Sequence, residues 1–297
     1  MIRSMLLAIL IGLTVPVWAQ NALVFQSDFG YKDGAVAAMK GVAVGVSATL
    51  QIQDLTHEIP AFNIWEAALR LEQTARYWPP GTVFVSVVDP GVGTQRKSVV
   101  LKTKSGHYFV TPDNGTLTFV AESLGIEASR EIDEAINRLQ NSDESYTFHG
   151  RDVYAYTGAR LAAGVISFKQ VGRKLEPTVV SIPYQRASIE AGVVKGNIPI
   201  LDIQFGNVWT NINRETFQGL NLGHGDIAQV TISNGDTVVL KKSIPYHGTF
   251  GSVKLGDPLL YLNSLNNVAL ALNQGDFAAK FSIQSGADWT ISISKIK

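Results

Sequence analysis

The 297-residue sequence contains no cysteine. Disulfide frameworks, thiolate zinc sites and cysteine nucleophiles are therefore excluded, and any metal would have to be held by histidines and carboxylates. An excess of one charge is also missing, since 25 Lys and Arg stand against 25 Asp and Glu. No global field draws the chain to nucleic acid or to an anionic membrane, so a small molecule is the expected partner. The sequence shows no internal repeat, no charge block and no apolar run of the ~20 residues that a bilayer span requires. What it does have is the make-up of a well-cored globular protein, 45% hydrophobic and 17% charged. That length suffices for two ordinary domains.

The first 19 residues read as a secretory signal. Arg3 supplies the positive end, Met5 to Val15 the short apolar run, and Val17-Trp18-Ala19 the small-residue cleavage site. The mature chain is expected to start near Gln20, without a membrane span, in the periplasm or outside the cell. From there strands and helices alternate. Ala22 to Phe25 is an apolar strand ending at Ser27-Asp28-Phe29-Gly30, and Gly34 to Val46 offers small and apolar residues suited to a packed helix. Leu50 to Ile52 leads to the loop Asp54-Leu55-Thr56-His57, and a helix from about Asn63 to Tyr77 is stopped by Pro79-Pro80-Gly81. Thr82 to Val88 is a buried strand running into Asp89-Pro90-Gly91-Val92-Gly93, with further strands at Ser98 to Lys102 and His107 to Val110. This alternation predicts an α/β domain with a mostly parallel sheet over residues 20–185. From 186 to 297 short β-rich runs separated by Asn-Gly, Gly-Asp and Gly-Asn predict a smaller β-barrel-like or sandwich domain.

Open α/β sheets bind ligands beyond the carboxyl ends of their strands, so polar residues just past strand runs are the first candidates. Asp28 can accept from two vicinal hydroxyls, although taken alone a turn or helix-cap role is the commoner use of such a residue. Asp28-Phe29-Gly30 matches the kinase metal motif but has no glycine-rich phosphate loop beside it. Asp89 and Arg96 bracket a glycine-containing loop that lets the two charges fold back on each other. His149, in Phe148-His149-Gly150-Arg151-Asp152, precedes a helix-like segment from Val153 to Ala163, a place suited to general-base work or to a structural cap. His57 is expected to order its own loop. The histidines show no metal-ligand spacing, and neither metal nor cofactor is expected. Asp202 to Asn211 gathers a carboxylate, amides and aromatics, the parts needed to bind an ammonium group and an apolar face.

Taken together and in order, Ser27-Asp28-Phe29-Gly30, Asp54-Leu55-Thr56-His57, Asp89 to Arg96, Pro112-Asp113-Asn114-Gly115, Phe148 to Asp152 and Phe205-Gly206-Asn207 resemble the S-adenosylmethionine hydroxide adenosyltransferases, relatives of fluorinase and chlorinase. The resemblance covers essentially the whole mature chain. It implies hydrolysis of S-adenosylmethionine to adenosine and L-methionine by a homotrimer, with each site between the N-terminal domain of one chain and the C-terminal domain of its neighbour. It places the water-activating triad on Asp89, Arg96 and His149, the ribose-binding carboxylate on Asp28, and the methionine-binding residues on Asp202 and Asn207. Phe205 and Ser264 match positions lining the adenosyl pocket, and Phe62 stands where fluorinase has tryptophan. The halogenating relatives carry Tyr in place of Asp89 and Tyr-Ser in place of His149-Gly150, so water rather than halide is the implied nucleophile. The alternatives are a nucleoside- or adenosyl-binding protein without turnover and an S-adenosylmethionine-dependent halogenase. A substrate made in the cytoplasm and a signal for export stand side by side.

Overall fold

The computed structural model describes residues 20–296, so the secretory signal expected over residues 1–19 lies outside the described residues. The N-terminal region is a three-layer α/β/α arrangement around a seven-stranded sheet. Its strands are β1 (Leu23–Ser27), β2 (Ile52–Thr56), β3 (Val83–Val87), β4 (Ser98–Thr103), β5 (Tyr108–Pro112), β6 (Ile126–Glu131) and β7 (Lys174–Leu175), in the order β2-β1-β3-β5-β4-β6-β7. β2, β1, β3 and β5 pair in parallel, whereas β4 is antiparallel to both its neighbours and β7 to β6. β1 and β3 are buried along their whole length, which is why apolar residues predominate on both of their faces, with Gln26, Ser27 and Ser86 as buried polar exceptions. The alternation is there in three dimensions. Leu23 and Phe25 face α1 (Ala35–Val46), while Val24 faces α2 (Ile64–Ala75).

Each helix shows why it sits where it does. In α1 the buried residues Val36, Met39 and Ala43 recur every three or four positions, one stripe on an otherwise small-residue helix. α2 starts at Asn63, whose side-chain oxygen accepts from the Glu66 amide at 2.9 Å, and buries Ala67, Leu71 and Ala75. α3 (Thr118–Leu124) packs beside α2, and α4 (Glu134–Asn137) is a single turn capped by Asp133. Residues Gly150–Ala155 form a π-helix that passes directly into α5 (Tyr156–Ala162). Gly158 of α5 lies so close to Val85 that a β-carbon there would collide with it, which lets the helix axis approach β3.

Residues 176–187 form no helix or strand and run along the N-terminal region. They are held by hydrogen bonds from the Val180 amide to Asp113 and from the Ile182 amide to Thr118. The C-terminal region carries two antiparallel sheets. One contains β8 (Ser188–Glu190), β9 (Val193–Asn197), β12 (Ile227–Asn234), β13 (Thr237–Pro245) and β16 (Trp289–Lys295). The other contains β10 (Ile200–Asp202), β11 (Asn207–Asn213), β14 (Pro258–Leu262) and β15 (Asn267–Leu272). Both sheets face one core, with Val194, Val230 and Ile293 from the first meeting Val208, Leu260 and Leu270 from the second, and an isolated bridge between Tyr246 and Leu260 ties their edges. The two regions meet where Trp65 donates to the Pro199 carbonyl at 2.7 Å and packs edge-on against Phe119 and Tyr184. No helix among the described residues is long and apolar enough to cross a membrane.

Candidate active site

The carboxyl ends of β1 and β3 and the start of the π-helix converge on one cavity of about 260 Å³. Asp28, Phe62, Asp89, Val92, Phe148 and His149 are among its lining residues. Asp89 sits two residues past β3. The turn that follows is closed by Val92 donating to the Asp89 carbonyl and Thr94 to that of Gly91, and Gly93 adopts φ +77°. That turn brings Arg96 back over Asp89. Arg96 Nε donates to Asp89 Oδ1 at 2.9 Å, and Nη2 donates to Oδ2 to complete a bidentate pair. Asp89 Oδ2 also takes the Tyr154 hydroxyl at 3.4 Å, and Arg96 Nη1 reaches Ser98 Oγ at 3.0 Å. Burial weakens the charged form of Arg96, but the bond to Asp89 together with the attraction of Tyr154, Asp89 and Glu134 outweighs it, and the guanidinium pKa is raised. Burial pushes the Tyr154 hydroxyl far above its ordinary value, so it stays a donor.

His149 is the third member. Its side chain lies 3.0 Å by Nδ1 from Arg96 Nη2, and the residue is buried. Burial lowers its pKa, so the ring is neutral at physiological pH. The sequence does not foresee the group on its other side. Arg138, just after α4, places Nη2 3.2 Å from His149 Nε2 while pairing with Glu134. Both ring nitrogens thus face guanidinium donors. Asp89 Oδ1, with a single bond from Arg96, keeps an acceptor position free for a ligand or a water.

The remaining expected residues fall into two places. Asp28 lines the same cavity and accepts the Phe62 amide at 2.8 Å, and Phe62 is held at φ +67° on the rim, the residue 71% exposed. Asp202, Phe205, Asn207 and Ser264 instead line a second cavity of about 880 Å³ on the C-terminal region, where Asn207 donates to Asp202 at 3.0 Å. No residue lines both cavities. Small-molecule sites commonly measure roughly 300–1,000 Å³. The cavity with the charged cluster falls short of that range, and the one within it lacks the cluster.

Two further groups hold the Asp28 loop. His57 is fully buried, with Nδ1 2.6 Å from Ser27 Oγ, Nε2 3.2 Å from Asp54, and its carbonyl accepting the Gly30 amide. It does order its loop, and the loop of Asp28 with it. Asp54 lies inside β2 rather than beyond it, because the exposed polar residues of this edge strand hide its extent in the sequence. Burial raises its pKa, but hydrogen bonds from Lys40, His57 and Tyr31 outweigh that and lower it. Asn114 braces the Val88 carbonyl at 2.9 Å, next to Asp89.

Comparison with known proteins matches this arrangement to one family over both regions. The profile of the SAM hydroxide adenosyltransferase N-terminal domain fits residues 23–172, and that of the C-terminal domain fits residues 196–290. An (R)-S-adenosyl-L-methionine hydrolase of Methanocaldococcus jannaschii is 37% identical over 225 residues, covering 74% of this chain and 73% of its own. A fluorinase of an Actinoplanes species is 28% identical, covering 94% and 99%. The crystal structure of an uncharacterized conserved protein from Thermotoga maritima superposes with a TM-score of 0.82 at 35% identity, covering 92% and 99%.

Proposed function

The chain belongs to the SAM hydroxide adenosyltransferase family, and from that premise we propose that it hydrolyses S-adenosylmethionine to adenosine and L-methionine. The observation that carries this reading is the hydrogen-bonded group Asp89, Arg96 and His149 at the wall of one cavity with Asp28. Water attacks the ribose C5′ opposite the sulfur, the C5′–O bond forms as the C5′–S bond breaks, and the sulfonium leaves as the neutral thioether of methionine. A neutral leaving group needs no general acid. The work left to the protein is to place, polarise and deprotonate one water. The open acceptor position on Asp89 Oδ1 suits the first two tasks, with Arg96 fixing the carboxylate. Neutral His149 steadies Arg96 from the other side, and the proton of the attacking water passes to solvent.

Asp28 holds the ribose hydroxyls, Phe62 covers them, and Asp202 and Asn207 take the methionine ammonium, with Phe205 and Ser264 against the adenosyl group. Since these residues are divided between two cavities, we place each site between the N-terminal region of one chain and the C-terminal region of the next in a homotrimer. The signal-like residues 1–19 support export to the periplasm or beyond. Halide transfer, the activity named for the fluorinase relatives, is disfavoured by the Asp89 carboxylate, which repels an anion at the nucleophile position. Purified protein is incubated with S-adenosylmethionine in ¹⁸O-water with excess chloride, and the products are read by mass spectrometry. Label in the adenosine 5′-hydroxyl is the expected result. Unlabelled adenosine or abundant 5′-chloro-5′-deoxyadenosine refutes the assignment.

A further inference from the structure

Arg138 has the outward marks of a surface residue, since it follows a one-turn helix and pairs with Glu134 four residues earlier. Its surroundings differ. The side chain is only 8% exposed, its guanidinium lies 4.8 Å over the Tyr146 ring, and its Nη2 reaches His149 Nε2. The opposite nitrogen of the same ring faces Arg96. A neutral imidazole owns one lone pair and accepts from one of the two arginines. An imidazolium owns none, and would set N–H against N–H on both edges with three positive charges in line.

The groups around the ring come from every element packed on it. Asp89 and Arg96 stand on the loop after β3, Glu134 and Arg138 on and just after α4, Tyr146 on the loop before the π-helix, and Tyr154 within it. Both carboxylates are taken up by the arginines, leaving guanidinium groups against the ring nitrogens.

We propose that Arg138 is a positioning residue for His149: with Arg96 at the opposite ring nitrogen it holds the imidazole neutral and in place, one arginine donating to its single lone pair. The proposal rests on the hydrolytic reading for its purpose, though not for its geometry. Burial, Arg96 and Arg138 all lower the His149 pKa, while Glu134 and Asp89 oppose them.

The test is an NMR titration of the His149 ring nitrogens in ¹⁵N-labelled full-length mature protein, assigned with His149→Gln, alongside the pH profile of kcat. Replacing Arg138 by Gln removes a cation and uncovers Glu134, so the midpoint should rise by about one pH unit or more. The acid limb of kcat should rise with it. Glu134→Gln, which removes a carboxylate that raises the His149 pKa, should move the midpoint the other way. Arg138→Lys should keep the midpoint near that of the parent yet lower kcat with little change in KM, because the charge is retained and the planar fork is lost. If all three variants lose thermal stability while the His149 midpoint stays in place, Arg138 is structural and the proposal fails. If the parent shows no turnover but the midpoints move as stated, the clamp stands and the hydrolase assignment falls.

Discussion

Replacing Asp89 by Asn keeps the shape of the side chain and removes its charge. Arg96 then loses a bidentate carboxylate on a guanidinium whose side chain is 11% exposed, facing a group that was 6% exposed. Removing one partner of a pair so enclosed costs about 3–5 kcal/mol. For a chain of this length each kcal/mol lowers the melting temperature by roughly 2–4 °C, so a fall on the order of 10 °C is expected. Misplacing the water and losing its acceptor should lower kcat by on the order of 10²-fold or more. KM should change little, because adenine, ribose and methionine are held elsewhere. Adenosine release is followed by chromatography at 25 °C, below the melting transition, so that unfolding does not pass for lost chemistry. The Asp89→Asn/His149→Ala double variant should be scarcely slower than the worse single one, because both act on one water. A variant that melts earlier yet keeps kcat within about threefold would reduce Asp89 and Arg96 to a structural ion pair.

Asp202→Ala should raise KM for S-adenosylmethionine by tenfold or more while kcat changes little, on the order expected for losing a charged hydrogen bond; saturation kinetics decide it. Gly158→Ala drives a methyl group into Val85 and should destabilise the protein by about 1–3 kcal/mol in denaturant titration without altering KM. Burial depresses the folded-state pKa of both His57 and His149. The stability that comes from keeping them neutral is therefore complete above the unfolded value of about 6.5 and is lost as pH falls through their lowered folded values. Melting curves from pH 8 to pH 5 should show that decline, and His57→Gln should flatten it.

What could be read from the sequence follows physical lines. β1 and β3 were legible because strands buried on both faces are mostly apolar and run into polar loops, and those loops carry Asp28 and Asp89. β2 was misplaced because Gln53 and Asp54 are exposed at the sheet edge and break the apolar pattern between Ile52 and Leu55. Asn267–Leu272 contains Ala269, Leu270 and Ala271, residues without a strand preference, and only its pairing with β11 and β14 makes it a strand. Asp89 and Arg96 could be paired from seven residues of turn chemistry. Arg138 could not be placed, since Glu and Arg at i and i+4 read as an ordinary solvent-facing helix pair. Its meeting with His149 is made by the tertiary fold alone.

The π-helix at Gly150–Ala155 gives the site an unusual dependence on residue count. A π turn is an α turn holding one residue too many, and here the surplus residue lies between His149 and α5, whose Gly158 fixes the helix against β3. Each residue of an α-helix advances the chain by about 100°. Deleting any one residue between Arg151 and Ala155 would let the segment relax to α geometry and swing His149 by that angle away from Arg96 and the cavity, with every side chain of the catalytic group still present. Substitutions along this stretch change what the segment packs against; a single deletion would change where the imidazole points. The orientation of the imidazole is thus encoded in the length of the chain between two anchors, a property invisible to any comparison made residue by residue.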